Sequence, residues 1–416
     1  MGRGVGGRAA VLGVLALAAV IAAPAAAQTA AGDWPRFRGP TGCGTTDEKG
    51  LPIRWGGAAD ENVLWKTPLA KSHNPWSSPV IAGDRLFLTA AGMENREQHV
   101  LCFNKRDGKP LWDTPVPPGP WTGAEPKGGL GGPTPVTDGK HVWAVFGTAV
   151  VACLDVEGKI VWRKDLPGQN FDVTVGASPI LYEDTLLYIA DQNKKTSSLI
   201  AYDKATGDVR WEQKRPDVVF AHSTPILIPV AGRVQLMVSA SVALQGIDPA
   251  DSKMLWWCKG NGETASPVYG GGVVYVDNGR GGDGMAVDPT GQGDVTATHL
   301  KWKSDAAQSD LSSPVIVGGH VYRLSGHNLV CMDLATGGEV FSHPLQGASG
   351  WASPIVTPDG RIYCATAGRS YVVQAGPEGK IVATSDLGDP NHASPAVSEG
   401  RIYLRGARFL YCIGAK

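Results

Sequence analysis

The stretch LIAYDKATGDVRW, residues Leu199 to Trp211, decides the fold. It begins as an apolar strand, turns between Asp203 and Gly207, and continues as a second strand that ends in a large ring. Asp accepts hydrogen bonds from the backbone that follows it, and Gly accepts the positive φ that such a turn requires. The same form recurs at 151–162 and 330–341. The chain is therefore predicted to repeat a strand–turn–strand unit.

A Ser/Thr-Pro-apolar tripeptide precedes each unit and is a second repeating pattern in the sequence. It occurs eight times, at steps of 40 to 56 residues. Its prolines are Pro79, Pro135, Pro179, Pro225, Pro267, Pro314, Pro354 and Pro395. Two β-rich runs around a short turn follow each tripeptide, which is the pattern of a hairpin. Each repeat thus holds four strands.

A large aromatic residue marks the fourth strand of nearly every repeat. This aromatic column comprises Trp65, Trp112, Trp162, Trp211, Trp256, Trp302 and Phe341, with Ala383 as the small member. A ring at a fixed point of each repeat suits packing between neighbouring sheets, where it buries about 150–250 Å². We interpret these tryptophans as structural.

The repeated tripeptide and the aromatic column together predict an all-β, eight-bladed β-propeller of four-stranded antiparallel blades. The last repeat ends at Leu410 to Ile413 without a fourth strand, while an aromatic strand at Asn62 to Trp65 precedes the first tripeptide. We therefore predict that the N-terminal strand closes the last blade and removes the open seam. The domain boundaries are a signal peptide at 1–27, a lead-in segment at 28–60 and the propeller at 61–416.

The N-terminus has the features of a secretory signal. Arg3 and Arg8 precede an apolar run at 9–23, and Ala25 to Ala27 supply a small-residue cleavage site. That run is short for a membrane span, which needs about 20 residues. We expect a periplasmic or otherwise extracytoplasmic protein with no transmembrane segment after cleavage. Lipid attachment is not expected, because no Cys lies near the cleavage site.

Charge and cysteine content narrow the function classes further. The net charge of −1 gives no electrostatic reason to bind nucleic acid. Seven cysteines are an odd number for a disulfide framework. Four of them, Cys102, Cys153, Cys331 and Cys412, share one repeat position and are expected to pack as small buried side chains. The pairing of Cys43, Cys258 and Cys364 stays open.

The motif Ala-x-Asp-x-x-Thr-Gly-x-x-x-Trp at Ala201 to Trp211, together with the Ser-Pro register, resembles the PQQ-like (pyrroloquinoline quinone type) propeller repeat proteins. The opening Asp33 to Pro40 and the segment Gly293 to Trp302 are similar to exported bacterial members. The resemblance covers nearly all of the mature chain and implies the propeller fold. One branch it points to is quinoprotein dehydrogenases, which hold the quinone and calcium over the channel with adjacent cysteines. The other is the lipoprotein scaffold of outer-membrane barrel assembly.

This sequence departs from both branches. It has no adjacent cysteines and no lipid-attachment Cys. Hydrolase, zinc-protease and phosphate-loop motifs are also missing from it. We therefore expect a non-catalytic scaffold that binds an envelope protein or carbohydrate, with no cofactor. The alternative is a divergent quinone-dependent dehydrogenase for alcohols or sugars, which would need the quinone with calcium.

Candidate binding residues lie just before the innermost strands, where each strand starts at the mouth of the channel. The channel-rim candidates are Trp76, His222, Glu263, Asp310, Trp351 and His392. Blades seven, eight and one are expected to bring Trp351, His392 and Trp76 into one sector. Aromatic faces beside an imidazole suit a flat ligand, a sugar or a partner's side chain.

Overall fold

The computed structural model describes residues 1–2, 32–69, 76–92, 97–121, 130–166, 176–192, 196–219, 221–260, 262–277, 283–305, 311–348, 351–390 and 392–416. The predicted signal peptide lies almost wholly outside the described residues. No helix in the described ranges is long and apolar enough to cross a membrane.

The strands follow the alternation of apolar runs and Gly- or Asp-containing turns along the chain. In chain order they are β1 (Val63–Pro68), β2 (Val80–Ala82), β3 (Arg85–Ala91), β4 (Gln98–Asn104), β5 (Pro110–Pro115), β6 (Val136–Thr137), β7 (His141–Phe146), β8 (Val150–Asp155), β9 (Ile160–Asp165), β10 (Ile180–Tyr182), β11 (Thr185–Ala190), β12 (Ser198–Asp203), β13 (Val209–Lys214), β14 (Ile226–Val230), β15 (Arg233–Ser239), β16 (Ala243–Ile247), β17 (Met254–Lys259), β18 (Val268–Gly270), β19 (Val273–Val276), β20 (Gly284–Val287), β21 (Gly293–Asp294), β22 (Leu300–Ser304), β23 (Val315–Val317), β24 (His320–Ser325), β25 (Asn328–Asp333), β26 (Glu339–Pro344), β27 (Ile355–Val356), β28 (Arg361–Cys364), β29 (Arg369–Gln374), β30 (Ile381–Asp386), β31 (Ala396–Ser398), β32 (Arg401–Arg405) and β33 (Phe409–Ile413).

These strands form eight sheets, one for each Ser/Thr-Pro repeat. Five sheets consist of four consecutive strands with antiparallel pairings, and inner strands of neighbouring sheets contact one another, as β2 contacts β6 and β31. In the sheets of blades four and five, β21 lies between β20 and β22 in sequence but joins β17. The eighth has the order β1-β33-β32-β31, so the N-terminal strand is its outermost member. Val63 of β1 pairs with Ile413 of β33 in antiparallel register. The predicted eight-bladed propeller and its closure are confirmed.

The aromatic column packs each blade onto the next. Trp162 in blade two donates its indole N–H to the backbone oxygen of Lys204 in blade three at 3.0 Å. A Cβ added to Gly207 of blade three would lie 2.6 Å from the Trp162 ring. The same ring-on-glycine contact joins Trp65 to Gly108, Trp112 to Gly158, Trp302 to Gly337 and Phe341 to Gly379. Glycine is thus needed at this turn because it adopts the positive φ and because it leaves space for the aromatic ring of the previous blade.

The third-strand residue opposite each aromatic ring is small. The pairs are Cys102 and Trp112, Cys153 and Trp162, Ala201 and Trp211, Gly246 and Trp256, Ala286 and Trp302, Cys331 and Phe341, and Cys412 and Trp65. Blade seven reverses the sizes, since Val372 faces Ala383. Because a packed interior conserves volume, a small residue opposite a ring keeps the sheets evenly spaced. All seven cysteines are buried and free, so the four-membered column acts as packing.

Blade four departs from the repeat by gaining a fifth strand. The two-residue β21 pairs in parallel with β17, with Gly293 beside Trp256. The Trp256 indole N–H turns into its own blade and donates to Gln235 Oε1 at 2.8 Å. The long connection of blade five thus lies beside the Trp256 ring, whereas a turn glycine packs on five of the other rings in the column. The four-strand pattern could not predict this addition, because two residues carry no strand signal.

Candidate functional site

The eight residues that directly precede the repeat prolines form a closed ring of hydrogen bonds around the channel, which we call the belt. The backbone N–H of each residue donates to the side-chain oxygen of the equivalent residue in the next blade, at 2.9–3.0 Å. The belt consists of Ser78, Thr134, Ser178, Thr224, Ser266, Ser313, Ser353 and Ser394, and Ser394 donates back to Ser78. All eight residues are buried. The belt explains the preference for Ser or Thr and holds the inner strands in a common register.

Three of the rim candidates form a compact cluster two residues above the belt. The ring centroids of Trp76 and Trp351 lie 4.8 Å apart, nearly edge to face. The His392 imidazole lies 4.7 Å from the Trp76 centroid and 5.1 Å from that of Trp351. These residues, from blades one, seven and eight, are called the ring cluster below. Aromatic side chains prefer such tilted contacts, because the edge of one ring is positive and the face of the next negative.

The ring cluster has one accessible face. Trp351 is 42% exposed, whereas Trp76 and His392 are half-buried. Burial lowers the pKa of the His392 imidazole below its usual 6.5. The imidazole is therefore neutral at pH 7 and contributes a polar edge without a charge. An exposed indole held by two fixed rings can stack on a sugar ring or an apolar side chain.

The remaining rim candidates lie elsewhere. The backbone N–H of His222 in blade four donates to the backbone oxygen of Glu263 in blade five at 2.6 Å. The His222 side chain covers Gly176, where an added Cβ would be 2.3 Å from the His222 Cβ. Asp310 lies outside the described residues. Since blade four is opposite blade eight in the ring, His222 and Glu263 do not share a site with the ring cluster.

The opposite end of the channel is closed by residues 33–48, which we call the plug. Trp34 exchanges two backbone hydrogen bonds with Ile81 of blade one. The Pro35 oxygen accepts from Thr137 N–H in blade two, and Val356 N–H of blade seven donates to the Gly44 oxygen. Ile81, Thr137 and Val356 lie in the inner strands β2, β6 and β27, each two residues after the repeat proline. The plug therefore lies across the inner strands on the side of the belt away from the ring cluster.

Two arginines of the plug reach into the inner strands. Arg36 Nη2 donates to the Pro225 oxygen at 2.9 Å. Arg38 Nη2 donates to the Pro314 oxygen and, at 3.0 Å, to the Cys43 oxygen. Burial lowers the pKa of each guanidinium to about 10, so both remain charged at neutral pH. Sequence reasoning missed the plug because the segment lies outside the repeat; its signal in the sequence is the pair of arginines in the run Asp33 to Pro40.

Several other buried charged side chains form ion pairs. Arg215 and Asp191 form an ion pair of 3.1 Å within blade three, and Arg323 of blade six lies 3.8 Å from Asp277 of blade five. Burial raises the pKa of Asp191 to about 6, although the Arg215 charge opposes that shift. These pairs lie among packed strands away from the ring cluster, and we assign them to blade packing.

Two further pockets open on the surface. One, of about 470 Å³, lies between blades four and five and is lined by Lys259, Lys303 and Met285 among others. The other, of about 550 Å³, lies on the outer side of the plug beside Asp33 and Glu48. Both Glu48 oxygens already accept backbone N–H groups, from Glu399 and Gly400. Neither pocket includes a residue of the ring cluster.

Among the described residues, no group of three His, Cys, Asp or Glu side chains is placed to hold a metal ion. Hard cations such as calcium need several oxygen ligands at one point. The sequence also has no adjacent cysteines.

Eight blades around a channel closed at one end define a β-propeller protein. The chain belongs to the PQQ_2 family, described as outer membrane protein assembly factor BamB, because that family's model matches residues 96–343, more than half of the chain. The resemblance expected from the repeat motif is confirmed.

Solved structures show the same fold at low identity. BamB from Moraxella catarrhalis is 12% identical with a TM-score of 0.58, covering 85% of this chain and 97% of that one. Quinohemoprotein alcohol dehydrogenase from Comamonas testosteroni is 13% identical with a TM-score of 0.65, covering 92% and 81%. A europium-containing methanol dehydrogenase is 12% identical with a TM-score of 0.67, covering 90% of each chain.

A sequence relative carries a different activity. Tetrathionate hydrolase from Acidithiobacillus ferrooxidans is 27% identical over 298 residues, which is 66% of this chain and 54% of the relative. The chain thus matches about half the length of that protein. The names of the matching proteins include an assembly factor, dehydrogenases and a hydrolase, so the fold does not select one function.

Proposed function

We propose that the chain is a non-catalytic, extracytoplasmic binding scaffold that takes its carbohydrate or protein partner at the ring cluster. The observation that carries the proposal is the exposed Trp351 ring, held by Trp76 and His392 at centroid distances of 4.8 and 5.1 Å. Rigid aromatic side chains supply a large contact area at a low entropy cost, which is why they dominate binding sites.

The surroundings of the ring cluster support a binding role. The plug closes the far end of the channel, so a partner has one face to approach. The belt below the cluster fixes the three blades that carry the rings. Membership of a family described as an outer membrane assembly factor supports a partner in the cell envelope. The apolar N-terminal run with its small-residue cleavage site supports export.

The test uses the full chain, a glycan array and a pull-down from envelope extract, each with wild type and Trp351→Ala. We expect a partner in one of the two assays, and we expect Trp351→Ala to weaken its binding at least tenfold, as for an aromatic hot spot. Leu111→Ala is the matched control, because Leu111 is an exposed apolar residue on the outer strand β5. Loss of binding in both Trp351→Ala and Leu111→Ala, or in neither, would count against the ring cluster as the binding site.

The same experiment separates the two rim sectors. His222→Gln changes the mouth of the channel on the side of blade four and should leave binding unchanged. A partner that depends on His222 and not on Trp351 would move the site to the opposite sector. Turnover of alcohols or sugars that appears on adding the quinone with calcium would overturn the non-catalytic role.

A second candidate is the binding or hydrolysis of a sulfur oxyanion such as tetrathionate. It is favoured by the 27% identity with tetrathionate hydrolase over 298 residues. Incubation of the purified chain with tetrathionate, followed by ion chromatography, tests it directly. Consumption of tetrathionate above a heat-denatured control would establish the hydrolase, and no consumption would leave the binding scaffold.

A further inference from the structure

The plug buries two positive charges that have no counter-charge. Arg38 is 1% exposed and Arg36 is 7% exposed. Several other buried cations have a carboxylate partner, as in Arg215–Asp191, Arg323–Asp277 and Lys105–Glu399, and the buried Arg405 donates to the backbone oxygens of Ser77 and Thr89. Arg36 and Arg38 have no carboxylate partner among the described residues, and they also donate to backbone oxygens. A buried, unpaired charge is costly unless another group neutralises it.

Several of their N–H groups are also unsatisfied. Arg36 Nε and both Nε and Nη1 of Arg38 are shielded from solvent and have no hydrogen-bond partner among the described residues. A guanidinium presents five N–H donors in a fixed plane, which suits a shared acceptor. The two groups also repel each other, and the charge of Arg36 contributes to the lowered pKa of Arg38. A negatively charged acceptor at these N–H groups would satisfy them and would also offset the repulsion between the two charges.

The backbone of the plug is shaped around these side chains. A Cβ added to Gly42 would lie 2.5 Å from Arg36 Nη2, and one added to Gly44 would lie 2.7 Å from Arg38 Nη2. Both glycines have φ of +74°. The guanidinium groups therefore rest on glycine backbone that leaves no space for a side chain. The carbonyls they bind belong to Pro225 and Pro314, each directly after a belt residue.

We propose that Arg36 and Arg38 hold a small inorganic anion, such as a halide or an oxyanion, at the closed end of the channel. A water molecule would satisfy the N–H groups but would leave the two charges uncompensated, so an anion is the better occupant. The anion would link blades four and six through the plug. This site is independent of the ring cluster and of its partner.

The direct test is a crystal structure of the full chain grown or soaked in bromide, with anomalous data. We expect a bromide peak within hydrogen-bond distance of the free N–H groups of Arg36 and Arg38. Bromide absent from both guanidinium groups, with only ordered water in its place, would overturn the proposal.

Thermal unfolding gives a second readout in solution. The protein is exchanged into gluconate and then titrated with chloride, bromide or sulfate at constant ionic strength. A specific site should raise the Tm saturably, by about 3–5 °C at a hundredfold excess over the Kd. The response should be lost in the double variant Arg36→Gln/Arg38→Gln. The matched control Arg54→Gln/Arg233→Gln removes two exposed arginines and should keep it.

Arg38→Lys covers the case in which the double variant does not fold. It keeps the charge but loses the planar fork, so the anion titration should shift to higher concentration. A Tm that rises equally with gluconate and with the small anions, in wild type and Arg38→Lys alike, would show general screening and contradict the site.

Discussion

Gly207 shows how a single residue meets two requirements of the repeat. Its φ of +73° lies in the left-handed region, and the Trp162 ring of the previous blade occupies the space a side chain would take. The backbone conformation alone disfavours other residues by about 1–2 kcal/mol. Contact with a packed ring adds to that cost, because a crowded interior resists extra volume.

Gly207→Ala should therefore destabilise the protein more than an alanine at an open left-handed position. Gly272 is that control, with φ of +81° and nothing within 4 Å of an added Cβ. We expect a loss of about 1–2 kcal/mol for Gly272→Ala, and about 1–3 kcal/mol more for Gly207→Ala. Urea denaturation measures both. Equal losses would show that the Trp162 ring moves aside without cost.

His392 makes the ring cluster sensitive to pH. Its pKa is lowered by burial in the folded protein, so the unfolded chain binds the proton more readily. Between the folded and unfolded pKa values, stability then falls as pH falls. We expect the Tm of the wild type to decrease from pH 7 to pH 5 more than that of His392→Gln, measured by thermal unfolding in a pH series. Parallel pH profiles would show that His392 does not contribute.

At the scale of elements, the belt explains why the inner strands align. Each inner strand begins beside a backbone N–H bonded to the next blade, so the link between blades is a hydrogen bond as well as apolar packing. An unpaired buried N–H costs about 1–3 kcal/mol, since water cannot replace the lost acceptor.

Ser178→Ala should leave the Thr134 N–H without its acceptor. We expect a loss of about 1–3 kcal/mol in the free energy of unfolding, measured by urea denaturation. Ser178→Thr is the control, because Thr134 and Thr224 fill the same position in other blades. A threonine variant as unstable as the alanine variant would assign the effect to packing instead.

The sequence predicts the elements that repeat and misses those that do not. Eight copies of one pattern average out local ambiguity, so the blade count and the strand that closes the ring could be read from Pro79 to Pro395 and from Trp65. The plug occurs once, and its contacts join residues far apart in the sequence, such as Arg38 and Pro314, which are 276 positions apart. Nothing local in the sequence encodes such a pairing.

The candidate site could also be predicted only in part from the sequence. Counting three residues back from each repeat proline selects Trp76, Trp351 and His392, and ring order places them in adjacent blades. The same count selects His222, and counting four residues back from the next repeat proline selects Glu263. The structure shows that these two residues are joined by a backbone hydrogen bond and are not part of the binding face. Side-chain direction at the rim depends on loop conformation, which the repeat does not fix.

For the whole molecule, stability depends on joining the two ends of the chain in blade eight. β1 covers the edge of β33 over five paired positions, from Val63 to Pro68. An uncovered edge presents free backbone groups to other chains. The ring is thus completed by a strand that is far from its partner in sequence.

A chain that starts at Trp76 should therefore associate, whereas one that starts at Asp60 should not. The first lacks both the plug and β1; the second lacks the plug but keeps β1. We expect the first to elute at a larger size than the full chain, and the second at the size of the full chain with a lower Tm. Size-exclusion chromatography with light scattering distinguishes them. The same size for both would show that edge exposure does not drive association.

The belt also bears on how such a protein can change in evolution. Because every member donates once and accepts once, the circuit has no first or last position. A duplication that inserts one whole blade adds one donor and one acceptor, and a deletion removes one of each. The hydrogen bonding therefore tolerates gain or loss of complete units, and the limit on their number comes from the angle between neighbouring sheets. A partial unit would break the circuit, so recombination should preserve whole repeats.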